Sequence, residues 1–135
     1  MKSLDDLFEK HKLLALTFEK HIFNTASHFS NGYKGGYWKP KSLNTDENGF
    51  YLMLDDTTQY EIQNTMNYYD KGSMDSETFS LSIFAYTCNT AGSQLYTMNK
   101  EEMAKDLFDL YNYCTRNAQE ILGEQRASQF YAFLD

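Results

Sequence analysis

Leu4, Leu7, Phe8, His11, Leu14, Phe18 and Ile22 follow the three-and-four spacing of one helical face. This predicts a helix, or two end to end, over about Ser3–Phe29. Ser3 with Asp6 three residues on is a loose capping box, and Asn31-Gly32 tolerates the left-handed backbone that ends a helix. From Gly35 the pattern changes to short aromatic-rich runs, which predict strands over Gly36–Leu43 and Phe50–Leu54. The run Asn44-Thr45-Asp46-Glu47-Asn48-Gly49 joins them as a hairpin turn. Pro40 has no N–H for a ladder, so the first strand is expected at an edge or to carry a bulge. A third strand is expected over Gln59–Met66, completing a small antiparallel meander.

Asp75 or Ser76 can cap a helix bearing Phe79, Ile83, Phe84 and Tyr86 and reaching about Thr87. Asn89-Thr90-Ala91-Gly92-Ser93 reads as a loop. Asn99 can then cap a helix on which Met103, Leu107, Leu110 and Cys114 repeat, and a last helix is expected over Glu124–Leu134. Helices and strands are segregated rather than alternating, so the expected class is α+β. The expected architecture is a single domain over residues 1–135, a small sheet of three or so strands packed with N-terminal and C-terminal helices.

Composition narrows the function. Ten Phe, eleven Tyr and one Trp in 135 residues supply ample apolar surface for a core and exclude disorder. No run is long and apolar enough for a membrane span, and acidic residues stand where a signal peptide needs an apolar stretch, so a cytoplasmic location is expected. Cys88 and Cys114 form no C-x-x-C pair and read as buried free thiols. A net charge of −7 opposes direct nucleic-acid binding, with only Lys34, Lys39 and Lys41 making a small basic cluster.

Candidate chemistry is sparse. His11, His21 and His28 are spaced ten and seven apart, whereas helical metal pairs need three or four, so no metal site is expected. There is no G-x-S-x-G elbow and no Gly-Lys-Ser or Gly-Lys-Thr phosphate loop. Adjacent acids such as Asp5/Asp6, Asp55/Asp56 and Glu101/Glu102 read as solvated caps and turns. No catalytic residue and no cofactor is expected. Nineteen acids offset by twelve bases also fall short of duplex DNA, with about one charge per 1.7 Å of axis, so a purely electrostatic DNA decoy is disfavoured.

The strongest local signal is Tyr33-Lys34-Gly35-Gly36-Tyr37-Trp38, answered by Gly49-Phe50-Tyr51-Leu52-Met53. Glycines allow close backbone approach and the aromatics can cover a hairpin by cross-strand contact. Such a hairpin is either a folding nucleus, the reading the small sheet favours, or an aromatic recognition face.

Tyr33–Trp38 as Tyr-x-Gly-Gly-x-Trp, Leu43 after it, and the Gly49-Phe50-Tyr51 return strand resemble the plasmid-borne antirestriction proteins of the ArdB/KlcA family. The capped helix after Met74, the Tyr-containing helix at Leu107–Cys114 and the end at Tyr131-Ala132-Phe133-Leu134-Asp135 extend the resemblance over Phe18–Asp135. It implies a small α+β protein, without known cofactor or enzymatic activity, that relieves type I restriction of incoming plasmid or transposon DNA. It also implies distinction from strongly acidic DNA mimics. The sequence departs from the family in a longer acidic turn at Asn44–Gly49 in place of a tight Gly-Gly hairpin, with Asn48 where the first glycine is usual. Pro40 interrupts the first strand, and Ser80 stands where the family often has Gly. These departures bear on partner specificity.

The expected function is antirestriction by non-enzymatic protein contact, with a type I restriction–modification enzyme or a linked host factor as partner and the protein a monomer. The candidate binding surface is Tyr33, Tyr37, Trp38 and Tyr51, with Asp135 added by the resemblance, on a structural frame of Gly35, Gly36, Gly49 and Phe50. Trp38→Ala is expected to cost function; a folded, fully active variant would make the hairpin scaffold only. The alternatives are an acidic DNA mimic and an aromatic-faced ligand-binding module.

Overall fold

The computed structural model describes residues 3–63 and 72–135. Helices α1 (Leu4–Lys10) and α2 (Lys12–Phe29) lie end to end, broken at His11, whose extended backbone (φ −128°, ψ 90°) leaves the helical path. Ser3 caps α1 by accepting from the Asp6 N–H at 3.1 Å. Leu14, Phe18, Ile22, Ala26 and Phe29 form the buried stripe of α2. Ser30 ends α2 in extended conformation; the left-handed backbone comes later, at Gly35 (φ 103°), rather than at Asn31 or Gly32.

Strands β1 (Trp38–Leu43) and β2 (Asp46–Leu54) form the expected hairpin. Its turn is only Asn44-Thr45, because β2 begins at Asp46 and absorbs most of the run that reads as a long turn. The ladder pairs Trp38 with Leu54 and Pro40 with Leu52, and its register slips between Lys41 and Leu43. Asp55 N–H donates to Tyr37 C=O at 3.0 Å, which sets the alternation. Tyr37, Lys39 and Lys41 therefore face β2 with their backbone groups, while Trp38 and Pro40 turn theirs outward. Pro40 thus forfeits no ladder bond, and its missing N–H removes a donor from an open edge.

The expected third strand does not join this hairpin. β3 (Tyr60–Glu61) pairs instead with β4 (Ser73–Met74) in a separate two-stranded ladder, and residues 64–66 of the expected strand lie outside the described residues. An Asx turn, Thr58 N–H to Asp56 Oδ1 at 3.1 Å, redirects the chain. Tyr60 then stacks on Phe79 with ring centroids 4.3 Å apart and planes 16° from parallel, holding β3 against the next helix.

That helix, α3 (Ser76–Thr97), is capped by Asp75, which accepts from Thr78 N–H at 2.9 Å. It runs ten residues past Thr87, straight through the expected loop. The polar side chains there turn back onto the helix: Thr90 and Ser93 donate to the carbonyls of Tyr86 and Asn89. Gly92 lies within the helix, and a Cβ there would lie 2.8 Å from the Phe108 ring of α4 (Glu101–Leu122), so the glycine allows a close helix crossing. Asn99 does not cap α4. It takes a left-handed φ of 61° and closes α3, with Lys100 N–H bonding Leu95 C=O. Gly123 (φ 84°) then divides α4 from α5 (Glu124–Leu134).

α3 is the central post, packed by α2, β2, α4 and α5. Phe84 on α3 meets Phe18 of α2 at 6.1 Å and Phe50 of β2 at 5.9 Å. Burying such a ring stabilises the fold by roughly 1.5–3 kcal/mol, so the many buried aromatics carry the core. Where β2 ends against α3, Ser80 Oγ accepts from Leu54 N–H at 2.9 Å and donates to Ser76 C=O at 2.6 Å. Ser80 thereby satisfies a strand donor with no ladder partner. Among the described residues no helix is long and apolar enough to cross a membrane. The fold is α+β, with five helices and two two-stranded ladders among the described residues.

Candidate partner-binding site

The aromatic-glycine segment lies beside α2, with residues 33–37 outside any helix or strand and the Tyr33 ring 5.6 Å from that of Phe23. Tyr33 is buried, its ring among Phe23, Trp38, Tyr60 and Phe79. Trp38 Nε1 donates to the Tyr33 hydroxyl at 3.0 Å. Burial pushes the Tyr33 phenol above its ordinary pKa, so the hydroxyl keeps its proton. At Gly36 a Cβ would sit 2.8 Å from Leu54 Cδ2, so any larger residue would have to push that side-chain tip aside. Gly35 is required by its positive φ.

Between this segment and α2 lies a cleft of about 450 Å³. Phe8, Phe18, Phe23, Tyr33, Tyr37 and Trp38 supply its rings, and Glu19 and Lys20 stand exposed at its mouth. Tyr37 is 67% exposed and Phe23 47%, so the cleft presents aromatic surface to solvent.

The structure therefore divides the expected surface. Tyr33, Tyr37 and Trp38 come together at the cleft. Tyr51 points to the opposite face of β2 from Leu52 and is 6% exposed. Phe50 is core, against Phe84. Asp135 is exposed at the end of α5 and is not among the cleft's lining. The α2 wall was not anticipated from the sequence. Its signal was present in Phe23, a large apolar residue off the buried 14-18-22-26 stripe.

A polar clamp holds the hairpin tip on α4. The Tyr113 hydroxyl accepts from Leu43 N–H at 2.9 Å and donates to Asp46 C=O at 2.7 Å. Arg116 Nε and Asn117 Nδ2 donate to Asp46 Oδ2 at 2.8 and 2.9 Å. These bonds, Arg116's first, pull the Asp46 carboxyl down to a pKa of about 2. A depressed folded-state pKa contributes stability above the ordinary carboxylate range, and the contribution is lost as pH falls through it. Asp46→Asn is accordingly expected to flatten the acid limb of the stability profile between pH 3.8 and about 2, measured by urea unfolding at stepped pH.

Cys88 and Cys114 are free and buried, and burial pushes both thiols up, away from the nucleophilic form. Among the described residues no three His, Cys, Asp or Glu side chains group to hold a metal. His11, off the cleft, pairs with Asp106 of α4 at 2.7 Å.

Comparison with known proteins places this geometry. A family model described as "Antirestriction protein" matches residues 31–123, which span the glycine-aromatic segment, the hairpin, α3 and α4. No curated protein sequence matches. Among solved structures, the chain is similar to one from a study of the KlcA and ArdB proteins, with a TM-score of 0.76 at 20% identity, covering 98% of this chain and 87% of the other. Those proteins are described as having a novel fold and antirestriction activity against type I DNA restriction systems in vivo but not in vitro.

Proposed function

The chain belongs to the antirestriction protein family, and from that premise we propose that it relieves type I restriction of incoming plasmid or transposon DNA by contact with a protein. The carrying observation is the family match over residues 31–123. The partner is the restriction–modification enzyme or a host factor linked to it, and the inhibitor acts without catalysis. The similar structure's activity in vivo but not in vitro supports a requirement for a cellular partner.

The acidic-mimic alternative is weakened by where the carboxylates are spent. Asp46, Asp55, Asp75, Glu77, Glu102, Asp106 and Asp109 all lie in ion pairs with the chain's own cations. They form no free row spaced like phosphates. The exposed rim of the cleft, Tyr37 with the half-buried Trp38, is the contact surface, and Asp135 contributes from the other end of the chain.

The test is plating of unmodified phage on a host with an active type I system. Expression of the protein is expected to raise plating while DNA modification persists; unchanged plating despite soluble expression removes the reading. Tyr37→Ala is expected to lower that relief at least several-fold with no change in thermal midpoint. It is a cleaner probe than Trp38→Ala, which also breaks the Tyr33 hydrogen bond.

A further inference from the structure

We propose that Asn31 is a site of spontaneous modification, converted in the folded protein to a mixture of aspartate and isoaspartate, and that the isoaspartyl form displaces Tyr33 in the cleft. The chemistry at Asn31 stands on its own geometry; any effect on restriction rests on the contact surface proposed above.

The sequence holds two Asn-Gly pairs, Asn31-Gly32 and Asn48-Gly49. Glycine has no Cβ to shield its amide nitrogen, so the preceding asparagine can close a ring on it. In that step the Gly32 N–H gives its proton to solvent base and the nitrogen bonds to Asn31 Cγ. The Cγ–Nδ2 bond breaks and Nδ2, taking a proton from water, leaves as ammonia. Water then adds to either carbonyl of the cyclic imide and opens it. One route restores the original backbone as aspartate; the other runs the chain through the side-chain carbon as isoaspartate. Both products carry a new negative charge, and water is the only co-reactant.

The fold separates the two pairs. Asn31 and Gly32 are both exposed, in the turn that follows α2. Among the described residues no hydrogen bond holds the Asn31 side chain or the Gly32 N–H, and the turn is closed by Tyr33 N–H donating to Ser30 C=O at 3.2 Å. A Cβ on Gly32 would meet only Ser30 Oγ at 3.7 Å, so the ring has room to close. Asn48 is exposed too, but the glycine after it is buried within β2. Gly49 C=O accepts from Ser42 Oγ at 2.6 Å, and Gly49 packs so closely on Tyr113 that a Cβ would lie 2.3 Å from the ring. Bringing the Gly49 nitrogen onto Asn48 Cγ requires rotation about the Asn48 backbone, which lifts Gly49 off Tyr113. Asn48 therefore reacts only after the hairpin opens, whereas Asn31 needs only its exposed turn to flex.

The same turn positions the cleft. Ser30 is fully buried and Tyr33 is 5% exposed, so Asn31-Gly32 is a short exposed bridge between two anchored residues. An isoaspartyl linkage lengthens that bridge by one backbone atom. Tyr33 N–H then no longer meets Ser30 C=O, and the Tyr33 hydroxyl shifts against Trp38 Nε1, which donates to it. Trp38 is the sole tryptophan, so its emission reports the shift.

The purified full chain is held in mildly alkaline buffer, folded and in urea, and sampled over weeks by tandem mass spectrometry, with isoaspartyl methyltransferase labelling to tell the two products apart. Asn31 is expected to convert in the folded chain within a factor of a few of its rate in urea. Folding is expected to slow Asn48 at least about tenfold, because its reaction waits on local unfolding. Gly32→Ala, for which the fold has room, is expected to slow Asn31 several-fold in both conditions. Trp38 emission is expected to shift in step with isoaspartate and to stay unchanged in Asn31→Asp, which adds the charge without the extra atom. Asn31 intact in the folded chain while it converts in urea overturns the proposal, as does Asn48 converting as fast as Asn31 in the folded chain. Isoaspartate without a change in Trp38 emission overturns the displacement of Tyr33. Phage plating reads the antirestriction function separately, and its failure removes that function without touching the chemistry at Asn31.

Discussion

Gly49→Ala is expected to destabilise the protein by about 3 kcal/mol, lowering its thermal midpoint by on the order of 10 °C. A Cβ at Gly49 would lie 2.3 Å from Tyr113 Cδ2 and 2.7 Å from Cγ. The ring cannot yield, because Tyr113 is fully buried and its hydroxyl is tied to both Leu43 N–H and Asp46 C=O. Displacing it costs roughly 1–3 kcal/mol of overpacking strain and about 1 kcal/mol for each hydrogen bond broken. The opposing effect, a less flexible unfolded chain, is worth only about 0.4–1 kcal/mol, so the steric term wins. Gly32→Ala is the contrast. Its Cβ would meet only Ser30 Oγ at 3.7 Å, an ordinary contact, and its stability is expected to change little or rise. Urea unfolding of both variants decides the matter. If the clash is the cause, Gly49→Ala made on a Tyr113→Ala background adds almost nothing.

Asp106→Ala is expected to lose about 2 kcal/mol and to loosen α1. Asp106 of α4 accepts from His11 Nε2 at 2.7 Å and lies 3.1 Å from Lys10 Nζ, so one carboxylate ties down the break between α1 and α2. Removing it leaves His11, 7% exposed, with a buried donor and no acceptor, whereas the half-exposed Lys10 returns to water. The loss is therefore smaller than for a fully buried pair. Burial raises the Asp106 pKa, the bonds from His11 and Lys10 lower it, and the balance lies below the ordinary value. Its contribution is thus present above the ordinary carboxylate range and lost as pH falls through the depressed pKa. Asp106→Asn, which can still accept from His11, is expected to recover part of the loss. Amide exchange across Leu4–Lys10 measures the loosening; unchanged protection there in Asp106→Ala would show that α1 is held by Leu7 and its neighbours alone.

The helices with one buried stripe were legible because burial on one side writes its period into neighbouring residues. The Leu14-Phe18-Ile22-Ala26 stripe of α2 and the end of the chain at α5 fall where spacing put them. The hairpin was legible from its aromatics and turn residues, and Pro40 declared an edge. The glycine-aromatic segment marked both the family and the cleft. α3 was cut short in the reading because its first turns are buried on every side and set no period, while its C-terminal turns are built from polar and small residues that favour loops. Its Asn, Thr, Ser and Gly look like loop until the hydroxyls are seen bonding back along the helix.

By itself, then, the sequence determined the α+β class, the hairpin, the one-sided helices and the family, all of which rest on short-range pattern and residue type. Tertiary structure alone decided the length of α3, the pairing of β3 with β4, the burial of Tyr51 and the α2 wall of the cleft. It alone also decided why residue 49 is glycine and what His11 is for. The physical reason is distance along the chain. Tyr113 meets Asp46 across 67 positions and Asp106 meets His11 across 95. Contacts so remote leave no periodic trace in either partner's neighbourhood; they exist only once the core has brought the two together.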